Sequence, residues 1–256
     1  MPLALVRINP DPDGDQRRRR MRPRRSSRRR WCAWGFAALL GFTAIPIALL
    51  RWLPPPTSMF MLTALIEARL KGHHDFYLRQ SWLAARSIAP VAALAVLAAE
   101  DQRFPIHRGF DFKQIQRALV DAGAGEDARG ASTITQQVAK NLFLWSGHSW
   151  VRKGVEAWLT LWIEALWSKR RILEVYLNIA EFGDGIYGVG AASRVYFRHP
   201  ASELSASEAA LLAAVLPNPN ALQVSAPSRY VRQRQHWIMA QMQRLGGVQY
   251  LQTVRW

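Results

Sequence analysis

The chain has one cysteine, Cys32, so it can form no intrachain disulfide and offers no thiolate cluster to a metal. It has neither a P-loop pattern nor a dinucleotide-binding glycine fingerprint, which leaves no recognisable cradle for a nucleotide phosphate. Acids are scarce: 18 Asp and Glu stand against 34 Lys and Arg, for a net charge of +16. No stretch alternates apolar and polar residues as a half-buried strand does, and the reading is a predominantly α fold.

The positive charge is concentrated at one end. Residues 1–30 hold 11 Arg and 3 Asp, half of the net charge. Such an arm can bind nucleic acid, but the 20 residues that follow it, 31–50, carry no charge at all. As a helix they span roughly 30 Å, the thickness of a bilayer's hydrocarbon layer. The Arg block then reads as a positive-inside anchor, with the tail in the cytoplasm and the chain beyond Arg51 outside; no nucleic-acid partner is expected. Pro46 is tolerable in such a span, and Trp31, Trp34 and Trp52 sit where interfacial aromatics belong. A cleaved signal peptide is the alternative. The length of the run, followed by Pro54-Pro55-Pro56 and no small-x-small site, favours a retained anchor.

Beyond the prolines, a mainly apolar helix is expected over 58–70, near the membrane. Pro90 suits a first helical turn, and 91–99 is small and apolar all round, as in a buried helix. That helix delivers Glu100 and Asp101 to its C-terminus, where the macrodipole disfavours carboxylates. An acidic pair at such a place suggests function. Residues 130–141 gather Ser132, Thr133, Thr135, Gln136, Gln137, Lys140 and Asn141. They suit a polyhydroxylated or phosphorylated ligand, although Thr133 and Gln136 also fit a plain capping box. Apolar residues at 151, 155, 158, 159, 162, 163, 166 and 167 predict an amphipathic helix with Arg152 and Glu156 on one flank. Further helices are expected over 169–179, 191–197, 206–216 (with a Ser205–Glu208 capping box) and 229–245.

In order along the chain stand Glu100-Asp101-Gln102-Arg103-Phe104-Pro105-Ile106-His107-Arg108-Gly109, the 130–141 motif, Arg152-Lys153-Gly154-Val155-Glu156, and 169–178 ending Glu174-Val175-Tyr176-Leu177-Asn178. This series resembles the peptidoglycan glycosyltransferase family (glycosyltransferase family 51), and within it the monofunctional biosynthetic members of Gram-negative bacteria. The resemblance runs from about Trp82 to Pro219 and more loosely to the C-terminus. It implies a lysozyme-like helical glycosyltransferase domain with a mobile, membrane-facing jaw between Phe110 and Gly130. The expected order is an Arg-rich cytoplasmic tail (1–30), a transmembrane anchor (31–53), a membrane-proximal linker and helix (54–85) and the catalytic domain (86–256). The protein would then be single-pass in the bacterial inner membrane, with its catalytic domain in the periplasm.

What the resemblance implies about chemistry is specific. The growing glycan on its undecaprenyl pyrophosphate would pass to the 4-hydroxyl of the lipid-linked disaccharide-pentapeptide (lipid II), with inversion. A pyrophosphate leaves as an anion and needs cations, whereas the attacking hydroxyl needs a general base. Glu100 would be that base, and Glu156 would organise the donor and phosphate region, or merely pair with Arg152. Asp101, Phe104, His107, Ser132, Gln136, Gln137, Lys140, Asn141, Arg152 and Lys153 match the family's substrate-site motifs, with His107 read mainly as a structural hydrogen-bonding residue. Lys140, Arg152, Lys153, Lys169, Arg170 and Arg171 are six cations across 140–171, against only Glu156 and Glu164; either they surround the phosphates or some form a solvated face. No tightly bound cofactor and no protein metal site is expected; a divalent ion would bridge the substrate's pyrophosphate. Membrane lipids, and other cell-wall synthesis or division proteins, are further candidate partners.

Two departures stand out. Ala131 replaces a glycine common in the family, and His148 stands where an arginine commonly meets the donor phosphates. A membrane-bound lysozyme-like enzyme that cuts the polymer is the main alternative. A bifunctional polymerase and crosslinker is disfavoured, because Ser-x-x-Lys and Lys-Thr-Gly patterns are missing.

Overall fold

The computed structural model describes residues 25–123, 132–147 and 149–256. Ala131, His148 and the end of the expected jaw, 124–130, lie outside the described residues. Two compact units divide after Ile45. Most of helix α1, Arg25–Leu49, lies in the first, where Trp31, Trp34, Phe42 and Ile45 are exposed. Among the described residues, no helix is long and apolar enough to cross a membrane.

The second unit, Pro46–Trp256, is mostly helical. Helix α2, Met59–Leu70, starts on Ser58, whose hydroxyl accepts the Met61 N–H at 3.2 Å. Helix α3, Pro90–Glu100, has Pro90 in its first turn and buries every residue from Ala92 to Ala98. A helix apolar on all sides belongs in the middle of a core. It packs against α9, Ala206–Val215, and α10, Arg229–Arg244. The Ser205–Glu208 capping box opens α9, and Gly246, in the left-handed region at φ 93°, follows the C-cap of α10.

On the other side of the core lie α5, Ile134–Phe143, α6, Trp150–Leu166, and α7, Lys169–Ile179. Helix α4, Phe112–Gly123, precedes them, capped by Asp111, whose Oδ1 accepts the Lys113 and Gln114 N–H groups. Helix α8, Val189–Tyr196, follows a small sheet. Strands β1 (Arg79–Gln80), β2 (Glu181–Gly183) and β3 (Ile186–Tyr187) pair in the order β1-β3-β2, parallel then antiparallel. The sequence showed no strand here. Elements of two or three residues are too short to display a period of two.

Asn178 ties the segment before α3 to α7. Its Oδ1 accepts the Leu83 N–H at 2.7 Å, and its Nδ2 donates to Leu83 O and Glu174 O.

Helix α6 forms where the periodicity predicts it, but its first turns leave their apolar residues, Trp150, Val151 and Val155, exposed. Arg152, Glu156 and Thr160 are buried instead, and the apolar stripe turns inward only from Leu159 and Ile163. Periodicity reports that a helix has two faces, not which one meets the protein. The first half of α6 therefore carries charge inward, toward a cleft.

Candidate active site

Glu100 ends α3 with its side chain only 14% exposed. Gln137 Nε2 donates to its Oε2 at 2.9 Å, and Arg234 Nη2 lies 3.5 Å from its Oε1. The Tyr176 hydroxyl donates to Gln137 Oε1 at 3.0 Å, which turns the amide nitrogen toward the carboxylate. Burial pushes the Glu100 carboxyl above its ordinary range; the Gln137 hydrogen bond, Arg234 and Lys140 pull it back in part. The result is a desolvated carboxylate with an elevated proton affinity, the property of a general base.

Asp101, next along, does different work. Its carboxylate accepts the Ile134 N–H at 3.0 Å, and both oxygens lie 2.9 Å from His107 Nε2. The macrodipole penalty expected at the end of α3 is offset because this carboxylate faces the N-terminus of α5. Thr133 completes the joint: its hydroxyl donates to Gly109 O at 2.6 Å and accepts the Gln136 N–H, while Gln136 Oε1 accepts the Thr133 N–H. Gly109 cannot be exchanged cheaply, since its φ is +85° and a Cβ would meet Thr160 at 2.8 Å. The first two motifs are thus bolted together, with the acid of one capping the helix of the other.

A cleft of about 420 Å³ lies beside this joint, lined by Phe60, Ser132, Gln136, Gln137, Lys140, Trp145, Ser146, Gly147, Arg152, Lys153 and Glu156. Of the residues singled out in the sequence, Ser132, Gln136, Gln137, Lys140, Arg152, Lys153 and Glu156 line it, and Glu100 adjoins it through Gln137. Asp101, Phe104, His107 and Asn141 are buried and do not line it. Phe104 instead supports Lys169, whose ammonium sits 4.4 Å from its ring centroid.

The cleft's charges are arranged around one acid. Glu156, 2% exposed, lies 3.4 Å from Arg152 Nη1 and accepts a hydrogen bond from Lys153. The i,i+4 pair expected from the sequence is therefore present, and buried. Arg152 Nε is buried with no partner among the described residues. Lys140 has no carboxylate within ion-pair distance among the described residues; its ammonium lies 5.5 Å from the Phe60 ring centroid. Burial pulls Lys140 below its ordinary range, against the pull of Glu156. Three cations facing one carboxylate leave the cleft with an excess of positive charge. It is suited to an anion with several oxygens.

The other three expected cations do not join it. Lys169 pairs with Glu164 at 2.8 Å, and Arg171 with Glu174 at 2.8 Å, while Arg170 is exposed. Sequence reasoning missed Phe60, Tyr176 and Arg234. Only Tyr176 stood within a motif; Arg234 is one of several arginines on a polar helix face, with nothing local to mark it. A second cleft of about 400 Å³ shares Phe60 and Ser146 with the first and is edged by Glu67, Glu181 and Asp184. Burial, aided by Asp184, pushes Glu181 up to about 7. Among the described residues no group of three or more His, Cys, Asp or Glu could hold a metal ion.

A family model described as Transglycosylase matches residues 69–243. The chain is 55% identical over 225 residues to the biosynthetic peptidoglycan transglycosylase of Shigella boydii serotype 4 (strain Sb227), covering 88% of this chain and 93% of that protein. It is 56% identical over 216 residues to the protein of that name from Salmonella typhi, covering 84% and 89%. With the one from Escherichia coli O1:K1 / APEC it shares 57% over 207 residues, covering 80% and 86%.

Proposed function

Since the chain belongs to the transglycosylase family, we propose that it polymerises peptidoglycan glycan chains. It moves the growing glycan from its undecaprenyl pyrophosphate carrier to the 4-hydroxyl of lipid II, inverting the anomeric carbon. The observation that carries this reading is the pairing of a desolvated carboxylate, Glu100, with a cleft holding Lys140, Arg152 and Lys153.

Each part has one task. Glu100 takes the proton from the acceptor hydroxyl as its oxygen forms the bond to the donor's anomeric carbon. The bond from that carbon to the pyrophosphate oxygen breaks, and the electron pair leaves with the pyrophosphate. Lys140, Arg152 and Lys153 stabilise that charge as it develops, so the leaving group needs no acid. Glu156 keeps Arg152 and Lys153 in place. Ser132 and Gln136 offer hydroxyl and amide groups to the sugars. Asp101 and His107 support the site from behind, holding the start of α5 against the end of α3, while Phe104 backs Lys169 of α7.

The anchor belongs to the same proposal. The uncharged run at 31–50 behind an Arg block supports a single-pass span at 31–53, with the tail of 1–30 in the cytoplasm and the lysozyme-like domain of 86–256 in the periplasm. The exposed apolar face of Trp150, Val151 and Val155 supports contact of that domain with membrane lipid.

Incubating the purified protein with lipid II and separating the products tests the function. Glycan strands of increasing length are expected. Reducing ends or anhydro-sugars released from finished polymer, with no strand made, would establish a lytic enzyme instead.

A pH profile follows from the site. Glu100 must be ionised, so kcat/KM rises as pH climbs through a pKa held above the ordinary carboxylate range. Lys140 must be protonated, so kcat/KM falls as pH passes a pKa held below the ordinary lysine range. Gln137→Ala removes a hydrogen bond that stabilises the Glu100 carboxylate, and the acid limb is expected to move to higher pH while the alkaline limb stays. An acid limb that does not move would take Gln137 out of this role.

A further inference from the structure

The end of α1 is held by two side chains of the catalytic unit that the chemistry above does not use. The last carbonyls of a helix lack intrahelical partners. Pro46 O accepts the Leu50 N–H, Ala48 O the Arg51 N–H, and Leu49 O the Trp52 and Leu53 N–H groups. Ile47 O accepts instead from Trp167 Nε1, at 2.6 Å. Past the helix, Leu50 O accepts from Arg171 Nε at 3.2 Å and Nη2 at 2.9 Å, and Leu53 O from Nη2 at 2.6 Å. The guanidinium lies 5.1 Å from the Trp82 ring centroid and 5.9 Å from that of Trp167. Its remaining Nη1 donates to Glu174 Oε2, whose other oxygen accepts the Ala85 N–H.

This arrangement is not a generic surface contact. The Arg171 side chain is 11% exposed, and Ile47 1%. It spends a rigid fork of donors on two backbone carbonyls that lie where the apolar run ends, a task a lysine ammonium cannot reproduce. Arg171 also stands on α7 five residues before Tyr176, about 7.5 Å along the helix axis. Tyr176 holds Gln137, and Gln137 holds Glu100. One short helix thus links the point where the anchor ends to the catalytic carboxylate.

We propose that Arg171 and Trp167 are positioning residues that clamp the anchor's exit and set the height of the catalytic cleft above the bilayer. The inference rests on the polymerase and anchor readings above. A substrate held in a membrane by its own lipid presents its pyrophosphate at a fixed depth. An enzyme tied to the same membrane must meet it at that depth, whereas a substrate free in solution imposes no such condition.

The test uses the full chain carrying Arg171→Lys and Trp167→Phe together, which keep the stem, the ring and the charge but lose the fork and the indole N–H. Polymerisation is measured with lipid II in phospholipid vesicles and with a short-chain, water-soluble analogue in detergent. The variant is expected to lose on the order of tenfold or more in vesicles, as misplacement of reacting groups does, while staying within about twofold of wild type on the analogue. Equal loss on both substrates would mean that the clamp only supports the fold, and no loss on either would mean that it is idle; each overturns the proposal. Two controls separate it from its premises. Wild-type protein released from membranes by alkaline carbonate would overturn the anchor, and the clamp with it. Wild type that makes no polymer from either substrate would overturn the polymerase reading.

Discussion

Replacing Glu100 with glutamine is expected to lower polymerisation of lipid II by roughly 10²–10⁴-fold, the range for loss of a positioned general base. That corresponds to about 2.7–5.5 kcal/mol of transition-state stabilisation. The substitution is nearly isosteric, and the new amide oxygen can still accept from Gln137 Nε2. The contact with Arg234 is long at 3.5 Å and only partly buried, so its loss costs at most about 1 kcal/mol. Against that stands relief, because the carboxylate pays for its burial with a raised pKa. The folded state should therefore be as stable as wild type, and lipid II binding should persist. The measurement is polymer formed per unit time, alongside thermal melting and binding of the lipid substrate. A stable Glu100→Gln protein that polymerises at the wild-type rate would remove this residue from the mechanism.

Much of this site could be read from the chain, for reasons that differ by element. The capping boxes at Thr133–Gln136 and Ser205–Glu208 are local devices, and both are found at the helix starts they indicated. Pro90 marked its helix start for an equally local reason. Contacts over long separations were not legible. Arg234 reaches Glu100 across 134 residues, and nothing in its own neighbourhood distinguishes it from Arg232. The basic run of 169–171 shows the limit from the other side. Its composition suited phosphate, but Glu164 and Glu174 stand close enough in sequence to pair with Lys169 and Arg171 once helix α7 forms. Asp101 was legible as important, but its long-range task was not: the carboxylate at the end of one helix also holds the start of another.

Lys140→Ala is expected to reduce kcat/KM by about 10- to 150-fold, which is the ~1.5–3 kcal/mol of a charge-assisted hydrogen bond. Lys140 differs from the other two cations of the cleft in its pairing. Arg152 and Lys153 share Glu156, whereas the Lys140 ammonium faces the Phe60 ring at 5.5 Å and has no carboxylate at ion-pair distance among the described residues, feeling Glu156 and Glu100 only from farther off. A cation kept in a desolvated place with no ion pair of its own among the described residues lowers stability in the free protein, and burial pulls its pKa down against the pull of Glu156. Such a group gains most when an anion arrives, and it gains more as negative charge builds on the departing pyrophosphate than in the bound ground state. Removing it should therefore lower kcat as well as weaken donor use, and should leave acceptor affinity nearly unchanged. The melting temperature should stay level or rise, which separates this loss from damage to the fold. The alkaline limb of the pH profile belongs to the same group: it should vanish in Lys140→Ala and move to higher pH in Lys140→Arg, whose guanidinium stays charged. An alanine variant with unchanged kcat/KM, or with an alkaline limb identical to wild type, would place the pyrophosphate elsewhere in the cleft.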